Sequence, residues 1–331
     1  MNKLHVLLLC GGGGSEHDIS LLSANFLELQ LRSLPHLSVT RVEIFPDRWV
    51  AADGRTCRLG ADRQLQFADG QQPVDFVVPC IHGYPGETGD IQSLLTLMGL
   101  PFLGCEAEGS KLCFNKVSTK LWLSALDIPN TPFLFLSQND EAAHAQAHTA
   151  LRNWGTVFVK AASQGSSVGC YQVKDAAALS DAVNAAFGYS QQVLVEKAVK
   201  PRELEVAVYE YDGELVATAP GEICAPSDGF YSYEEKYSAG SHSTTHLAAP
   251  GLSAEQIELI RTYALKAFRQ LGLKHLSRVD FFLTEDNEIL LNEINTFPGM
   301  TPISMFPKLL EHNGHDFGRF LDGIISRACV A

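Results

Sequence analysis

No stretch of this chain stays apolar long enough to cross a bilayer as a helix. Positive charge is also scarce: 25 Lys and Arg face 38 Asp and Glu, a formal net charge of -13. That balance argues against nonspecific binding to nucleic acid or to an anionic membrane. A local cationic site for a nucleotide still fits in an acidic chain. Cys-x-x-Cys is missing. The eight cysteines are scattered at 10, 57, 80, 105, 113, 170, 224 and 329, several in apolar runs such as Val78-Pro79-Cys80-Ile81. Such usage points to reduced, buried thiols in a cytoplasmic protein. Internal repeats and low-complexity tracts are absent. The N-terminus sets Lys3 before the apolar run Leu4 to Cys10, as a secretory leader would. It then runs into four glycines without a small-residue cleavage site, and reads as a first buried strand.

What is present is enough chain, 331 residues with 46% hydrophobic and 19% charged, for two or three domains with buried cores. The first part alternates. Residues 5–10 form a strand, Gly11–Gly14 a tight turn, and 19–31 a helix for which Ser15 and Asp18 fit a capping box. Strands follow at 37–45 and 75–81, then a helix ending at Gly99 and a short strand at 101–104. This alternation predicts a parallel, doubly wound sheet. From Lys116 the pattern changes to a helix before Pro129, strands at 154–162 and 168–173, a helix from Asp175 to Phe187, and a strand at 192–199. That is an antiparallel α+β unit. A third segment opens near Pro201, with a hairpin signal at Asp212-Gly213. It continues through a polar, Tyr-rich loop at roughly 226–246, long enough to be a lid or binding element, and a helix from Ala254 to Leu271. The expected boundaries are 1–115, 116–205 and 206–331.

The most telling feature is the closing hairpin, RVDFFL and EILLNEIN. Centred on Asp286-Asn287, it sets Asp280 opposite Glu293 and Arg278 opposite Asn295, all on one face. Opposed side chains lie about 4.5–5.5 Å apart at Cβ, and like charges so placed repel. A cation between them resolves the conflict. Two carboxylates and an amide oxygen suit Mg²⁺ better than zinc. Thr296-Phe297-Pro298-Gly299 then leaves the strand in a turn whose N–H groups can meet a ligand.

Other constellations are weaker alone. Gln164-Gly165-Ser166-Ser167-Val168-Gly169 suits anionic oxygens, yet is not a Walker A loop, and an ordinary flexible hairpin reads the same. Lys160 ends the strand before it, where a phosphate would sit; Lys116 is either its partner or a surface lysine. Residues 193–199, with Glu196 and then Glu203, could offer an adenine edge and a ribose acceptor, or be a plain edge strand. Gly11–Gly14 precedes a helix but lacks G-x-G-x-x-G spacing. Glu16 would repel a pyrophosphate and better suits an ammonium group, which excludes a nicotinamide cofactor. His82, in His82-Gly83-Tyr84-Pro85-Gly86-Glu87, follows a strand's carboxyl end, so a ligand role and a structural one stand level.

Taken in order, GGGGSEHDISLLSA, HGYPGETGDIQSLL, VKAASQGSSVG, FYSYEEKY, RVDFF and NEINTFPGMTPIS resemble the D-alanine–D-alanine ligases of the ATP-grasp superfamily over essentially the whole chain. The resemblance implies α/β and α+β units in a three-domain ATP-grasp architecture, with an N-terminal parallel-sheet (preATP-grasp) domain. ATP would be gripped between the other two domains. It implies a bacterial cytoplasmic homodimer serving peptidoglycan synthesis, with D-alanine and ATP as its small-molecule partners and neither nucleic acid nor membrane among them. One D-alanine carboxylate would take the γ-phosphoryl group, and the second amine would attack the resulting acyl phosphate.

By the same resemblance, Glu16 anchors the first ammonium, with Ser166 and Tyr237 as its partners, and His82 lies near the first carboxylate. Lys116, Lys160 and Lys236 meet phosphates. Glu196, Val199 and Glu203 hold adenosine, and Asn292 belongs with the ATP contacts. Asp280, Glu293 and Asn295 match the ligands of two Mg²⁺ ions, for which Mn²⁺ can substitute. Arg278 and the Gly299 N–H match the oxyanion donors, and Ser304 the group that binds the second carboxylate. Tyr237 and Met305 bear on substrate choice: the lid tyrosine suits D-alanine over D-lactate, while D-serine is less firmly excluded. Gly14-Ser15 and Ala161-Ala162 depart from common family residues without removing an assigned group. A catalytically silent nucleotide-binding regulator is the different-class alternative, and retention of Asp280, Glu293 and Arg278 counts against it.

Overall fold

The protein is described by a computed structural model covering residues 3–224 and 244–330. Three sheets carry the architecture. In the first, β1 (Leu4–Gly11) lies parallel between β2 (Leu37–Ile44) and β7 (Phe76–Pro79). β1 alternates between two cores. Val6, Leu8 and Cys10 face Ala24, Leu27 and Leu31 of α1 (His17–Arg32), while Leu7 and Leu9 face Ile91 and Leu95 of α2 (Asp90–Leu97). A strand buried on both faces needs such an unbroken apolar run, so the doubly wound expectation holds for these strands.

The sheet is not wholly parallel, however. An antiparallel meander extends it through β3 (Trp49–Ala51), β4 (Thr56–Leu59), β5 (Gln64–Phe67) and β6 (Gly70–Pro73). These strands are short, and alternate residues of the first three, Trp49 and Ala51, Cys57 and Leu59, Leu65 and Phe67, pack into the core on the α2 side. Two further expectations fail. Residues 101–104 contribute one parallel bridge, Val77 to Phe102, instead of a strand. The capping box of Ser15 and Asp18 does not form, because Glu16 is the N-cap residue of α1 and makes no side-chain cap bond. Its carboxylate points across to another loop instead.

After α3 (Ala107–Phe114) and α4 (Lys116–Ala125), the second sheet runs β10–β9–β11–β8, antiparallel throughout. Its strands are β8 (Phe133–Leu136), β9 (Val157–Ala161), β10 (Cys170–Val173) and β11 (Val193–Lys197). It packs against α5 (Glu141–Trp154) and α6 (Ala176–Phe187), and Asp175 caps α6 by accepting from the N–H groups of Ala177 and Ala178. The third sheet holds β12 (Pro201–Tyr211), β13 (Glu214–Ala217), β14 (Gly221–Cys224), β15 (Thr244–His246), β16 (Leu276–Thr284) and β17 (Ile289–Asn295). Asp212-Gly213 makes the expected turn, with φ of 51° and 89°.

One face of this sheet packs on α7 (Ala254–Gln270). The other packs on α8 (Met305–His312) and α9 (Phe317–Val330). Phe317, Phe320, Leu321 and Ile324 of α9 share one core with β1, α1, Ala207 and Tyr209. The last helix therefore ties the third sheet to the first.

The β16–β17 hairpin reaches the predicted pairs, Asp280 with Glu293 and Arg278 with Asn295, by a different route. Nearer the loop the register is shifted by one, Leu283 facing Ile289 where a two-residue turn sets it against Leu290. Its loop spans three residues rather than two: the Thr284 N–H donates to the Glu288 carbonyl at 3.0 Å, and Asn287 takes φ 63°. That alone would set Asn292 opposite Asp280. A bulge absorbs Asn292, since Phe281 pairs with Leu291 and Asp280 with Glu293. The two one-residue offsets cancel, and both acids keep to one face.

α7 starts with a complete capping box between Ser253 and Gln256. Ser253→Ala should cost about 1 kcal/mol of stability, read as a lower urea midpoint with catalytic constants unchanged.

Candidate active site

The chemistry-bearing residues gather where the three sheets meet. Glu16, at the end of the glycine turn, is 8% exposed and accepts a hydrogen bond from Ser166 Oγ at 2.5 Å. Glycines make this approach feasible. A Cβ on Gly83 or Gly165 would stand 2.8 or 2.7 Å from Glu16 Oε2, so a side chain at either position would displace the carboxylate from this place. Ser166 and Ser167 hold φ of 49° and 61°, a left-handed backbone that costs energy and clusters at functional loops. Glu87 lies in the same corner and accepts the Gly83 N–H at 2.8 Å. Burial, then the Glu16 charge, pushes its carboxyl up to about 8. A corner that strains to hold two negative charges is suited to an ammonium group.

Lys116 heads α4, its own N–H bonded to the Ala162 carbonyl beside the loop. Its Nζ donates to the Gln164 carbonyl at 2.6 Å and lies 3.7 Å from Glu293 Oε2. One turn further along, Lys120 is buried and lies 3.2 Å from Glu196 Oε1, while Lys160 Nζ donates to Glu196 Oε2 at 2.5 Å. Burial lowers the Lys120 pKa. Burial would raise the Glu196 carboxyl, but Lys160 and Lys120 outweigh it and hold it ionised. The Glu196 carboxylate thus serves two lysines. Val199 lies just beyond β11, and Glu203 lies on β12, two residues from Glu205.

On the third sheet, Glu205, Asp280 and Glu293 are direct neighbours across β12, β16 and β17. Arg278 forks onto Asp280, Nε to Oδ1 at 2.8 Å and Nη2 to Oδ2 at 2.7 Å, and lies 3.2 Å from Glu205. Burial would lower its pKa, but the two carboxylates lift it well above the ordinary value. Asn295 Nδ2 donates to Asp280 Oδ2 at 3.0 Å. The donor set fits a hard cation: its donors are oxygens, it stands on paired strands, and its acids adjoin in register. Among the described residues no group of three or more His, Cys, Asp or Glu has metal-binding geometry.

Burial pushes the His82 ring down to about 4, so it is neutral. Both its nitrogens are engaged, with Ser23 Oγ at 2.8 Å and the Phe297 carbonyl at 3.2 Å. Gly299 follows in the turn, and a Cβ there would lie 3.0 Å from Ser304 Oγ. Ser304 is the N-cap of α8, yet its hydroxyl does not cap the helix; it meets the Thr301 N–H and Oγ1 at 3.0 and 2.7 Å. Met305, expected at a substrate, has its side chain in the core beside Gly221. Asn292 is the bulge residue. Lys236, Tyr237 and most of the expected lid lie outside the described residues.

Sequence inspection overlooked four of these groups. Glu87 sits within the His82 motif, Lys120 is one helical turn from Lys116, and Glu205 shares a strand face with Glu203. Ser23 carries no sequence signal beyond being a serine on the apolar side of α1.

Comparison with known proteins points to one family over nearly the whole chain. The family models for the D-ala D-ala ligase N-terminus and C-terminus match residues 5–105 and 122–326. A D-alanine–D-alanine ligase of Tolumonas auensis is 80% identical over 325 residues, covering 98% of each chain. The crystal structure of D-alanyl-alanine synthetase A from Vibrio cholerae superposes with a TM-score of 0.96 at 55% identity, covering all of both chains. The VanG D-Ala:D-Ser ligase of Enterococcus faecalis superposes at 0.87 with 28% identity, covering 99% of this chain and 100% of that one.

Lys120→Met would leave Glu196 with one buried partner, and should destabilise the protein by on the order of 3–5 kcal/mol in chemical denaturation. His82 gives a pH signature. The unfolded ring binds a proton that the buried ring refuses, so stability is complete above about 6.5 and falls as pH drops toward about 4. His82→Gln should flatten that limb of the stability–pH curve.

Proposed function

The chain belongs to the D-alanine–D-alanine ligase family, and on that premise we propose how its residues divide the work. The reaction is the ATP-dependent joining of two D-alanines into D-alanyl-D-alanine, for peptidoglycan synthesis. The working units are residues 1–115, 116–205 and 206–331, with ATP held between the second and third.

The observation that carries the assignment is the Glu16 carboxylate, wedged between Gly83 and Gly165 and bonded to Ser166. An acid so confined, with Glu87 beside it, is a receptor for the first D-alanine's ammonium. That anchoring directs the substrate's carboxylate toward Lys116 and Arg278. A carboxylate is a poor acyl donor until its oxygen becomes a phosphate, and phosphoryl transfer rests on positioning and charge neutralisation. Lys116, Lys160 and Lys236 supply the positive charge. Glu196 acts through Lys160, which it holds in place. Val199, by its backbone, and Glu203 hold adenosine, with Asn292 near the nucleotide. Tyr237 joins the Glu16–Ser166 pair, as the family resemblance implies.

Asp280, Glu293 and Asn295 would hold two Mg²⁺ ions, with Mn²⁺ able to replace them; when bound, these neutralise phosphate charge. The second D-alanine's carboxylate fits the start of α8. There Ser304 leaves the first N–H groups uncapped, and a helix N-terminus favours an anion. Its amine then attacks the acyl phosphate carbonyl, phosphate leaves, and Arg278 with the Gly299 N–H receives the oxyanion. The protein is further proposed to be a cytoplasmic homodimer, on the family resemblance alone.

Coupled ADP release with Mg²⁺-ATP, using D-alanine alone and D-alanine mixed with D-serine or D-lactate, tests this reading, with products identified by mass. Turnover only in a mixture would overturn the second-subsite assignment. Glu293→Gln should lower kcat roughly 100-fold or more and weaken Mn²⁺ binding in a titration followed by electron paramagnetic resonance. Near-normal turnover at saturating Mg²⁺ would remove Glu293 from the metal site.

A further inference from the structure

Phe297, Pro298, Gly299 and Met300 leave β17 and carry the chain toward Ser304 and α8. In a tight four-residue turn the first carbonyl accepts directly from the fourth N–H. Here the same two groups are bridged by side chains from the first sheet's layer. The Met300 N–H donates to Ser23 Oγ at 3.1 Å, and Ser23 Oγ pairs with His82 Nε2 at 2.8 Å. His82 Nδ1 pairs with the Phe297 carbonyl at 3.2 Å. The ends of this relay fix its direction. A backbone N–H can only donate and a carbonyl can only accept, so Ser23 gives its proton to Nε2 and the ring carries its own on Nδ1. Ser23 Oγ thus both accepts and donates, and each ring nitrogen of His82 meets one partner suited to it.

The relay is also well enclosed. Ser23 and Met300 are 0% exposed, and His82 and Phe297 are 5% and 4% exposed. In such surroundings an unmade hydrogen bond is costly, so the turn cannot collapse onto itself without orphaning Ser23 and His82. Gly299, between the bridged ends, is less buried than its neighbours. Beyond it, Thr301 ties the same segment to Ser304.

We propose that Ser23 is a positioning residue for the ligation: with His82 it splints the Phe297–Met300 turn open and so aims the Gly299 N–H at the reacting carbonyl. This rests on the oxyanion role of Gly299 proposed above. It changes the part played by His82, which acts through the turn rather than by touching a substrate carboxylate. It also makes α1 bear on chemistry, since the same helix begins beside Glu16. One rigid element then registers the first ammonium site against the oxyanion donor.

The test uses the full-length protein with Ser23→Ala, and with Ser23→Cys as a near-isosteric variant whose thiol is a weak donor. Catalytic constants are measured together with hydrogen exchange of peptides spanning residues 296–304. Ser23→Ala should lower kcat about 10- to 100-fold, with KM for either D-alanine little changed and exchange at Met300 faster; Ser23→Cys should fall between. Ser23→Ala combined with His82→Phe should be no slower than His82→Phe alone, as two parts of one device require. Unchanged exchange at Met300 in Ser23→Ala would overturn the splint itself. Faster exchange with normal kcat would leave the splint standing but remove Gly299 from the reaction, overturning the proposal through the reading it rests on. A raised KM with kcat intact would make His82 a substrate contact and overturn the proposal directly.

Discussion

Arg278 is the charge on which the site depends. Glu205, Asp280 and Glu293 stand side by side on three neighbouring strands, and two carboxylates about 5 Å apart repel by roughly 3 kcal/mol at an effective dielectric near 20. The guanidinium forks onto the middle acid and reaches the first. Lys116 approaches the third from another layer. Without these cations the sheet would carry an uncompensated row of acids, and with them it presents an ordered set of oxygens. The same cations and acids are those that a phosphoryl transfer and an oxyanion call for, so folding and catalysis draw on one arrangement.

The rest of the site is assembled from parts that cannot act alone. Glu16 belongs to the first sheet's layer, Ser166 to the second sheet's hairpin, and the Phe297–Met300 turn to the third. The first layer meets each of the other two through hydrogen bonds between residues more than a hundred apart in sequence. Glycines at 83 and 165 leave the Glu16 carboxylate the space that a Cβ would take. The left-handed Ser166 and Ser167 show the local cost of bringing that loop to it. Further away, α9 fastens the first and third sheets through a shared apolar core, so the distances across the site are set by packing far from it.

Much of this was legible in the chain. The apolar run Leu4–Cys10 announced a strand buried on both faces, Asp212-Gly213 its turn, and the acidic hairpin its facing pairs. The hairpin shows how legibility works and where it stops. A two-residue turn and the true three-residue loop with its bulge lead to the same pairing of Asp280 with Glu293, but only the second keeps Ile289 and Leu291 on the core face with Ile294. The spacing of core residues Ile289, Leu291 and Ile294, two and then three, is the trace the bulge leaves in sequence. The capping box at Ser15 does not form, since the helix starts from Glu16 as its N-cap residue, and the carboxylate of Glu16 serves a partner 150 residues distant that no local pattern records.

What the sequence determined by itself was chemistry and local form: which residues are acids, lysines and glycines, which runs alternate, and the ordered motifs that mark the family. Tertiary structure decided which of those groups touch. It gave Asp280 to Arg278, Glu196 to two lysines and both nitrogens of His82 to the protein. It sent Met305 into the core and brought Glu87, Lys120, Glu205 and Ser23 into account. The division follows from the range of the forces. Propensity and periodicity act over a few residues, whereas the pairing of buried charges and hydrogen-bonding groups is settled only when desolvation makes every unmatched group costly.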